Sequence, residues 1–262
     1  MANNTPADGL TFSKQDGIAV ITLDRPQARN AITAAMREAM EVCVADVERD
    51  ADIRVAVLTS SSPGAFCVGA DIKEIAAGNG PALISAEAGF FSFVRANRSK
   101  PWIAAVGGYA VGGGLEIALA CDIMVVGEGA ILMLPEAQQG MLAGAGGAFR
   151  LARLLPPSLA LEVLLAGRRL SGAEAVQHGI ASTMAPDDGV TRAALALAEK
   201  IIAAAPIPVE ETLKLSRLAR EKDEAELWTL STSATRRIMA SEDVKEGTRA
   251  FLEKRKPRWT GR

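Results

Sequence analysis

Glu116 closes the run Gly108-Tyr109-Ala110-Val111-Gly112-Gly113-Gly114-Leu115-Glu116, and Glu136 follows Pro135 and precedes a glycine cluster from Gly140 to Gly147. Glu116 stands among Leu115, Ile117, Ala118 and Leu119, where a carboxylate is costly to bury unless it is paired or used. Two such carboxylates facing one water would form an acid–base pair. Either glutamate alone also reads as part of a solvated helix face or turn; the glycine framing is what makes both of them candidates.

Two further runs bear on the same chemistry. Ala65-Phe66-Cys67-Val68-Gly69-Ala70-Asp71-Ile72-Lys73-Glu74 lies between a strand pattern and a helix pattern, and small residues at 69 and 70 let a group approach the backbone closely. Gly112-Gly113-Gly114 opens a predicted helix, where N–H groups are unpaired and the helix dipole favours negative charge. Two such donors aimed at one point form an oxyanion hole for an enolate or tetrahedral oxygen. Taken singly, each run is explained equally well as a tight strand-to-helix turn. Neither has the spacing of a phosphate-cradling loop or a dinucleotide fingerprint.

The elements that must position these groups follow from periodicity. Leu10 to Ser13 and Ile18 to Leu23 read as strands around a turn at Gln15-Asp16-Gly17. Ala31 to Val47 has helical spacing, Arg54 to Thr59 reads as a buried strand, Pro81 to Asn97 as a helix, and Trp102 to Val106 and Ile123 to Val126 as strands. Up to about Ala185 this strand–strand–helix grammar predicts mixed α/β structure. Ser171-Gly172-Ala173-Glu174 is a capping box. Beyond it, Asp188 to Ala205, Pro208 to Arg220, Asp223 to Met239 and Glu242 to Lys254 read as four successive helices. The division expected is a core over 1–187 and a helical region over 188–262 that packs on the core or on another subunit.

Composition narrows the function classes. With Lys+Arg 29 against Asp+Glu 31 and only 4% aromatic residues, neither a general nucleic-acid surface nor base-stacking platforms are expected. Cys43, Cys67 and Cys121 are widely spaced and His178 is the single histidine, so buried reduced thiols are expected and a metal cluster is not. Met1-Ala2-Asn3-Asn4-Thr5 lacks the basic start and apolar stretch of a signal peptide, and no run reaches the roughly 20 apolar residues of a membrane span. A soluble, cytoplasmic protein is the expectation.

The ordered set formed by Leu23-Asp24-Arg25-Pro26-Gln27-Ala28-Arg29-Asn30-Ala31, Gly69-Ala70-Asp71, Gly108 to Glu116, Pro135-Glu136, Gly144-Ala145-Gly146-Gly147 and the closing Phe251-Leu252-Glu253-Lys254-Arg255-Lys256 resembles the enoyl-CoA hydratase/isomerase, or crotonase, superfamily over nearly the whole chain. The resemblance implies a crotonase-like spiral of β-β-α units with a C-terminal helical oligomerisation region. It implies that Ala70 and Gly113 supply the oxyanion-hole N–H groups, that Glu116 and Glu136 match the two catalytic glutamates of hydratases, and that Gly144 lies near the catalytic water. Contacts to the CoA thioester are implied for Ala28, Val68, Ala70, Asp71, Ile72, Lys73 and Gly113, with Phe251 and Lys254 reaching it from a neighbouring subunit of a trimer or a dimer of trimers.

No cofactor is implied beyond coenzyme A carried on the substrate. Gln27 and Gly64 stand where lysines are common, which weakens the implied grip on the CoA phosphates. Ala143 replaces a common proline, and Arg29 an often apolar residue. The basic residues of the tail either compensate or form a solvated face. Leu154-Leu155-Pro156-Pro157, Gly167-Arg168-Arg169 and Ser241-Glu242-Asp243 look like the crotonobetainyl-CoA hydratase branch. A double-bond isomerase and a non-catalytic acyl-CoA binder remain as alternatives, the latter because fold alone does not establish activity.

Overall fold

Asp16 and Gly17 both adopt the left-handed backbone, with φ of 50° and 82°. A two-residue hairpin demands that conformation, and Asp-Gly supplies it at low cost. In the computed structural model, which describes residues 9–262, this turn joins β1 (Leu10–Gln15) to β2 (Ile18–Leu23). Met1 to Thr5, the segment read above against a leader peptide, lies outside the described residues. Thr33 caps α1 (Ala34–Arg49) by accepting the N–H of Met36. The helix begins later than periodicity suggests because Ile32 is taken up in a bridge to Ala70. Met36, Met40 and Val47 are fully buried along its inner face, each contributing about 1.5–3 kcal/mol.

Three strand–strand–helix units follow. The first is β3 (Val55–Ser60), β4 (Ala65–Cys67) and α2 (Ile72–Ala76). A small hairpin, β5 (Ile84–Ser85) with β6 (Gly89–Phe90), intervenes. The second unit is β7 (Trp102–Val106), β8 (Tyr109–Val111) and α3 (Gly113–Ala120). The third is β9 (Ile123–Gly127), β10 (Ile131–Met133), a 3-10 turn over Glu136–Gln139 and α4 (Gly147–Leu154). Then come α5 (Pro157–Ala166), β11 (Leu170–Ser171), α6 (Gly172–Gln177) and β12 (Thr183–Ala185). The expected Ser171–Glu174 capping box opens α6.

The first strand of each unit enters one sheet and the second strand enters another. The large sheet has the order β1-β2-β3-β7-β9-β12 and the small one β11-β10-β8-β4. Within these two sheets only the edge strands β1 and β11 run antiparallel. The turn after each second strand therefore recurs at the same end of the small sheet. All three candidate runs occupy that turn.

The inner strands of the large sheet are buried on both faces, which explains their near-continuous apolar sequences. Ala56 and Leu58 face a core shared with α1 and Trp102, whereas Val55 and Val57 face Val190, Ala194 and Ala198 of α7 (Val190–Ile202). The first C-terminal helix thus covers the sheet. Three more follow, α8 (Pro206–Leu218), α9 (Glu224–Met239) and α10 (Glu242–Leu252), close to the expected spans. Arg217 anchors α8 to the core through two 2.8 Å bonds to Asp122. The end of the chain folds back: Trp259 donates to the Ala203 carbonyl, and buried Asp243 accepts the N–H groups of Thr260 and Gly261.

One expected element is absent. Pro81 to Asn97 is not a helix but a 3-10 turn over Gly80–Leu83, the β5–β6 hairpin and further turns. Gly89, Phe91 and Ser92 all have left-handed backbone, with φ of 73°, 58° and 48°, which no α-helix accommodates. Burying Phe91 and Phe93 completely is the compensating gain.

Candidate active site

Parallel pairing of β8 with both β4 and β10 brings three carboxyl-terminal strand ends together, the usual location of ligand sites in such sheets. The turns beyond them touch. Gly112 donates to the Met133 carbonyl at 3.0 Å. Gly69 has φ 89°, and a Cβ there would lie 3.0 Å from the Gly113 nitrogen and 3.3 Å from the Val111 carbonyl oxygen. A Cβ on Gly114 would stand 2.1 Å from the Cys67 carbonyl oxygen. These glycines are thus required by close approach of the first turn to the second.

Two backbone donors meet at that contact. Ile32 donates to the Gly69 carbonyl and Asp71 donates back to Ile32, at 2.8 and 2.9 Å. The bridge turns the intervening N–H of Ala70 away from Ile32. Gly113 is the first residue of α3, so its N–H has no partner within the helix. Among the described residues, neither N–H donates a protein hydrogen bond. Phe90 covers this point from one side: a Cβ on Gly113 would be 2.6 Å from its ring.

The two carboxylates flank the same turn of α3. Glu116 is 4% exposed, and its Oε1 accepts the N–H of Gly147 at 2.8 Å. Burial pushes its pKa up to about 7, and Glu136 adds to the rise; the Gly147 and Ala145 amides and the Arg150 charge oppose it. Glu136 opens the 3-10 turn after β10. Its Oε1 lies where a Cβ on Gly112 would be 3.0 Å away, and its Oε2 is buried without a hydrogen-bond partner. Burial raises its pKa as well.

The other expected contacts divide into groups. Val68 and Ala70 are half-buried beside the Gly69 turn, and Ile72 and Lys73 are exposed on α2. The Asp71 carboxylate is committed to protein: it pairs with Arg25 at 2.6 Å and caps α2 by accepting the Lys73 N–H. The Arg25 bond holds its pKa below the ordinary carboxylate value. Ala28 ends a 3-10 turn. The Gly144 N–H donates to the Leu142 carbonyl at 2.7 Å. Phe251, in the last turn of α10, and Lys254 just beyond it are exposed.

Sequence reasoning missed Asn30. It is fully buried with φ 57°. Its amide donates to Ser60 Oγ and to the Ala65 and Phe66 carbonyls, and its Oδ1 accepts the Arg25 N–H. It ties the opening motif to the strand that carries Gly69 and Ala70. A left-handed asparagine in a turn is common, so no local signal distinguished it.

Residues 13–262 match the enoyl-CoA hydratase/isomerase family. A carnitinyl-CoA dehydratase of Salmonella typhi is 36% identical over 261 residues, covering 98% of this chain and 100% of the relative. The crystal structure of an enoyl-CoA hydratase from Mycobacterium tuberculosis H37Rv superposes with a TM-score of 0.93 at 35% identity, over 97% of this chain and 99% of that one. A carnitinyl-CoA hydratase from Mycobacterium avium is 38% identical with a TM-score of 0.77, over the same shares of the two chains.

Proposed function

The chain belongs to the enoyl-CoA hydratase/isomerase family, and we propose that it adds water reversibly across the double bond of a 2-enoyl-CoA thioester. One observation carries this reading: the buried Glu116 carboxylate and the half-buried Glu136, whose Oε2 is enclosed without a partner, flank a pair of uncommitted backbone N–H groups. The thioester carbonyl accepts from Ala70 and Gly113. Charge that builds on that oxygen is stabilised there, which makes the β carbon electrophilic. A water between Glu116 and Glu136 attacks it, giving syn addition.

Proton roles follow from the surroundings. Burial raises Glu116 to about 7 and the Gly147 N–H and Arg150 partly oppose it, so it is ionised just above neutral pH and is assigned to orient the water and take its proton. Glu136, with an unpartnered buried oxygen, delivers a proton to the α carbon. Because the two share one site, their protons exchange as a pair. CoA arrives with the substrate, held by Ala28, Val68, Asp71, Ile72 and Lys73, chiefly through backbone at Asp71, whose carboxylate is otherwise engaged. No other cofactor enters the scheme.

The carnitinyl-CoA relatives favour one specific substrate as a second reading, crotonobetainyl-CoA. An isomerase is less well supported, because it needs only one of the two glutamates. We further propose a homotrimer, or a dimer of trimers, in which Phe251 and Lys254 approach the CoA of a neighbouring chain. No described helix is long and apolar enough to cross a membrane, and three unpaired thiols suit a reducing cytoplasm.

The test is a panel of crotonyl, longer, branched and betaine-bearing 2-enoyl-CoA thioesters, read by loss of enoyl absorbance, beside a 3-enoyl-CoA. Hydration by the parent, falling about 10²–10⁴-fold in Glu136→Gln, is the expected result. Migration of the 3-enoyl bond without hydration, or binding with no turnover, would replace the proposal.

A further inference from the structure

Among the described residues, Arg150 is the one cation that reaches both walls of the site. It lies on α4, one turn after the loop that bonds Glu116. Its Nη1 donates to the Ala145 carbonyl at 3.1 Å and its Nη2 to the Val94 carbonyl at 2.6 Å. The guanidinium occupies the space a Cβ on Gly146 would need, only 2.2 Å from Nη1. Gly146 has φ 113°, and Gly147 beyond it donates to Glu116. The Val94 end belongs to the left-handed segment through Phe91 and Ser92, which presses Phe90 onto Gly113. One side chain therefore joins the loop that serves a carboxylate to the segment that walls one of the backbone donors.

We infer that Arg150 is a positioning residue for the proposed hydration: its guanidinium clasps the Ala145–Gly147 loop to the Phe90–Val94 segment and sets a positive charge on the side of the Glu116 carboxylate. The charged and titratable groups around this point are few. Glu136 and Arg150 act on Glu116. Cys121 and Arg153 act on Arg150, and Arg98 lies within reach of it. Cys67 is buried beneath Gly114. Cys67 and Cys121 are thiols pushed up to about 12 by burial, so they stay neutral across the working range. Arg98 donates to the Ala120 carbonyl and stacks on Phe93, and Arg153 lies over the outer Phe149 ring. Arg150 alone among these cations bonds the loop at Glu116.

The inference rests on the hydration reading, so its test includes a readout that needs no turnover. The Glu116 carboxyl is followed by carbon NMR against pH, assigned with Glu116→Gln, in the full-length parent, Arg150→Gln and Arg150→Lys. The acid limb of kcat/KM is measured on the same proteins. An opposite charge beside a carboxyl lowers its pKa, so its removal raises it. In Arg150→Gln the Glu116 midpoint and the acid limb should therefore both rise. Arg150→Lys keeps the charge but cannot hold two carbonyls, so its midpoint stays near the parental value while kcat falls about 10-fold. An unchanged midpoint in a folded Arg150→Gln, or a Lys variant whose midpoint moves as far as the Gln variant's, overturns the electrostatic role. Should Arg150→Gln fail to fold by circular dichroism, a Lys variant with parental kcat and KM overturns the clasp. A parental protein that titrates as expected yet hydrates nothing would count against the reaction and leave the clasp standing.

Discussion

Glu116→Gln should make the protein more stable at pH 8 while disabling it. Glu116 is 4% exposed, and burial carries its pKa from an ordinary 4.5 to about 7. At 1.36 kcal/mol per pKa unit, holding that carboxylate ionised in the folded state costs about 3 kcal/mol. The sign follows from proton counting. Below pH 4.5 both states bind the proton and nothing is lost. Between 4.5 and 7 the unfolded chain releases it and the folded one does not, so stability falls as pH rises. Above 7 the full loss is present. Glutamine has no proton to lose, and its side-chain oxygen can still accept the Gly147 N–H. Urea unfolding of parent and variant at fixed protein concentration, from pH 4.5 to 8, reads the difference directly. The variant's advantage should grow across that window by about 1–3 kcal/mol, the lower figure reflecting the shared titration with Glu136. Turnover at pH 8 should fall about 10²–10⁴-fold. A stability difference that does not change with pH would refute the claim that Glu116 ionises at a cost inside the fold.

Two further outcomes are expected. Gly113→Pro removes a donor at the first position of α3, where proline fits helix geometry, so a folded variant should lose about 10²–10³-fold in kcat. Gly113→Ala keeps the N–H, crowds only the Phe90 ring at 2.6 Å and should lose less; parental turnover in a folded Gly113→Pro would remove this N–H from the mechanism. For assembly, Trp228, Met239, Phe251 and Leu252 are 65%, 64%, 83% and 75% exposed on one chain, more apolar surface than a monomer's outer helices usually carry. Sedimentation at micromolar concentration should give three or six chains, and an active monomer would refute the proposed trimer.

The parts of this fold that sequence made legible are those set by local physics. Asp16-Gly17, the Ser171–Glu174 box and the continuous apolar runs each specify their own structure within a few residues. Glu116 and Glu136 were legible through their glycine frames. Their partners were not. Arg25 and Asp71 meet across 46 positions, and Asn30 bonds a carbonyl 36 positions on; nothing local in either segment announces the other. The segment 81–97 was misread because Phe90, Phe91, Phe93 and Val94 have spacing that a helix also satisfies. Left-handed residues at 91 and 92, neither of them glycine, are set by tertiary packing that periodicity does not report. The Gly147 bond to Glu116 was not foreseen, because counting glycines does not tell which amide points inward.

The repeated unit divides the chemistry. In the proposed reaction the first unit's turn would supply the Ala70 N–H, the second the Gly113 N–H and Glu116, and the third Glu136 with the Gly147 amide that bonds Glu116. The oxygen-binding donors are backbone groups fixed by the close approach of Gly69, Gly113 and Gly114, so they survive most side-chain changes. The carboxylates are side chains and can be lost one at a time without disturbing that contact. A scaffold built this way can keep its grip on an acyl thioester while its reaction changes. In the proposed reaction, what separates hydration from the other outcomes is therefore the presence of both carboxylates. Glu136 is the more diagnostic of the two, because its buried, unpartnered Oε2 has no structural bond to make. A group left in that condition costs stability, and proton delivery to the substrate is the use that the proposed reaction gives it.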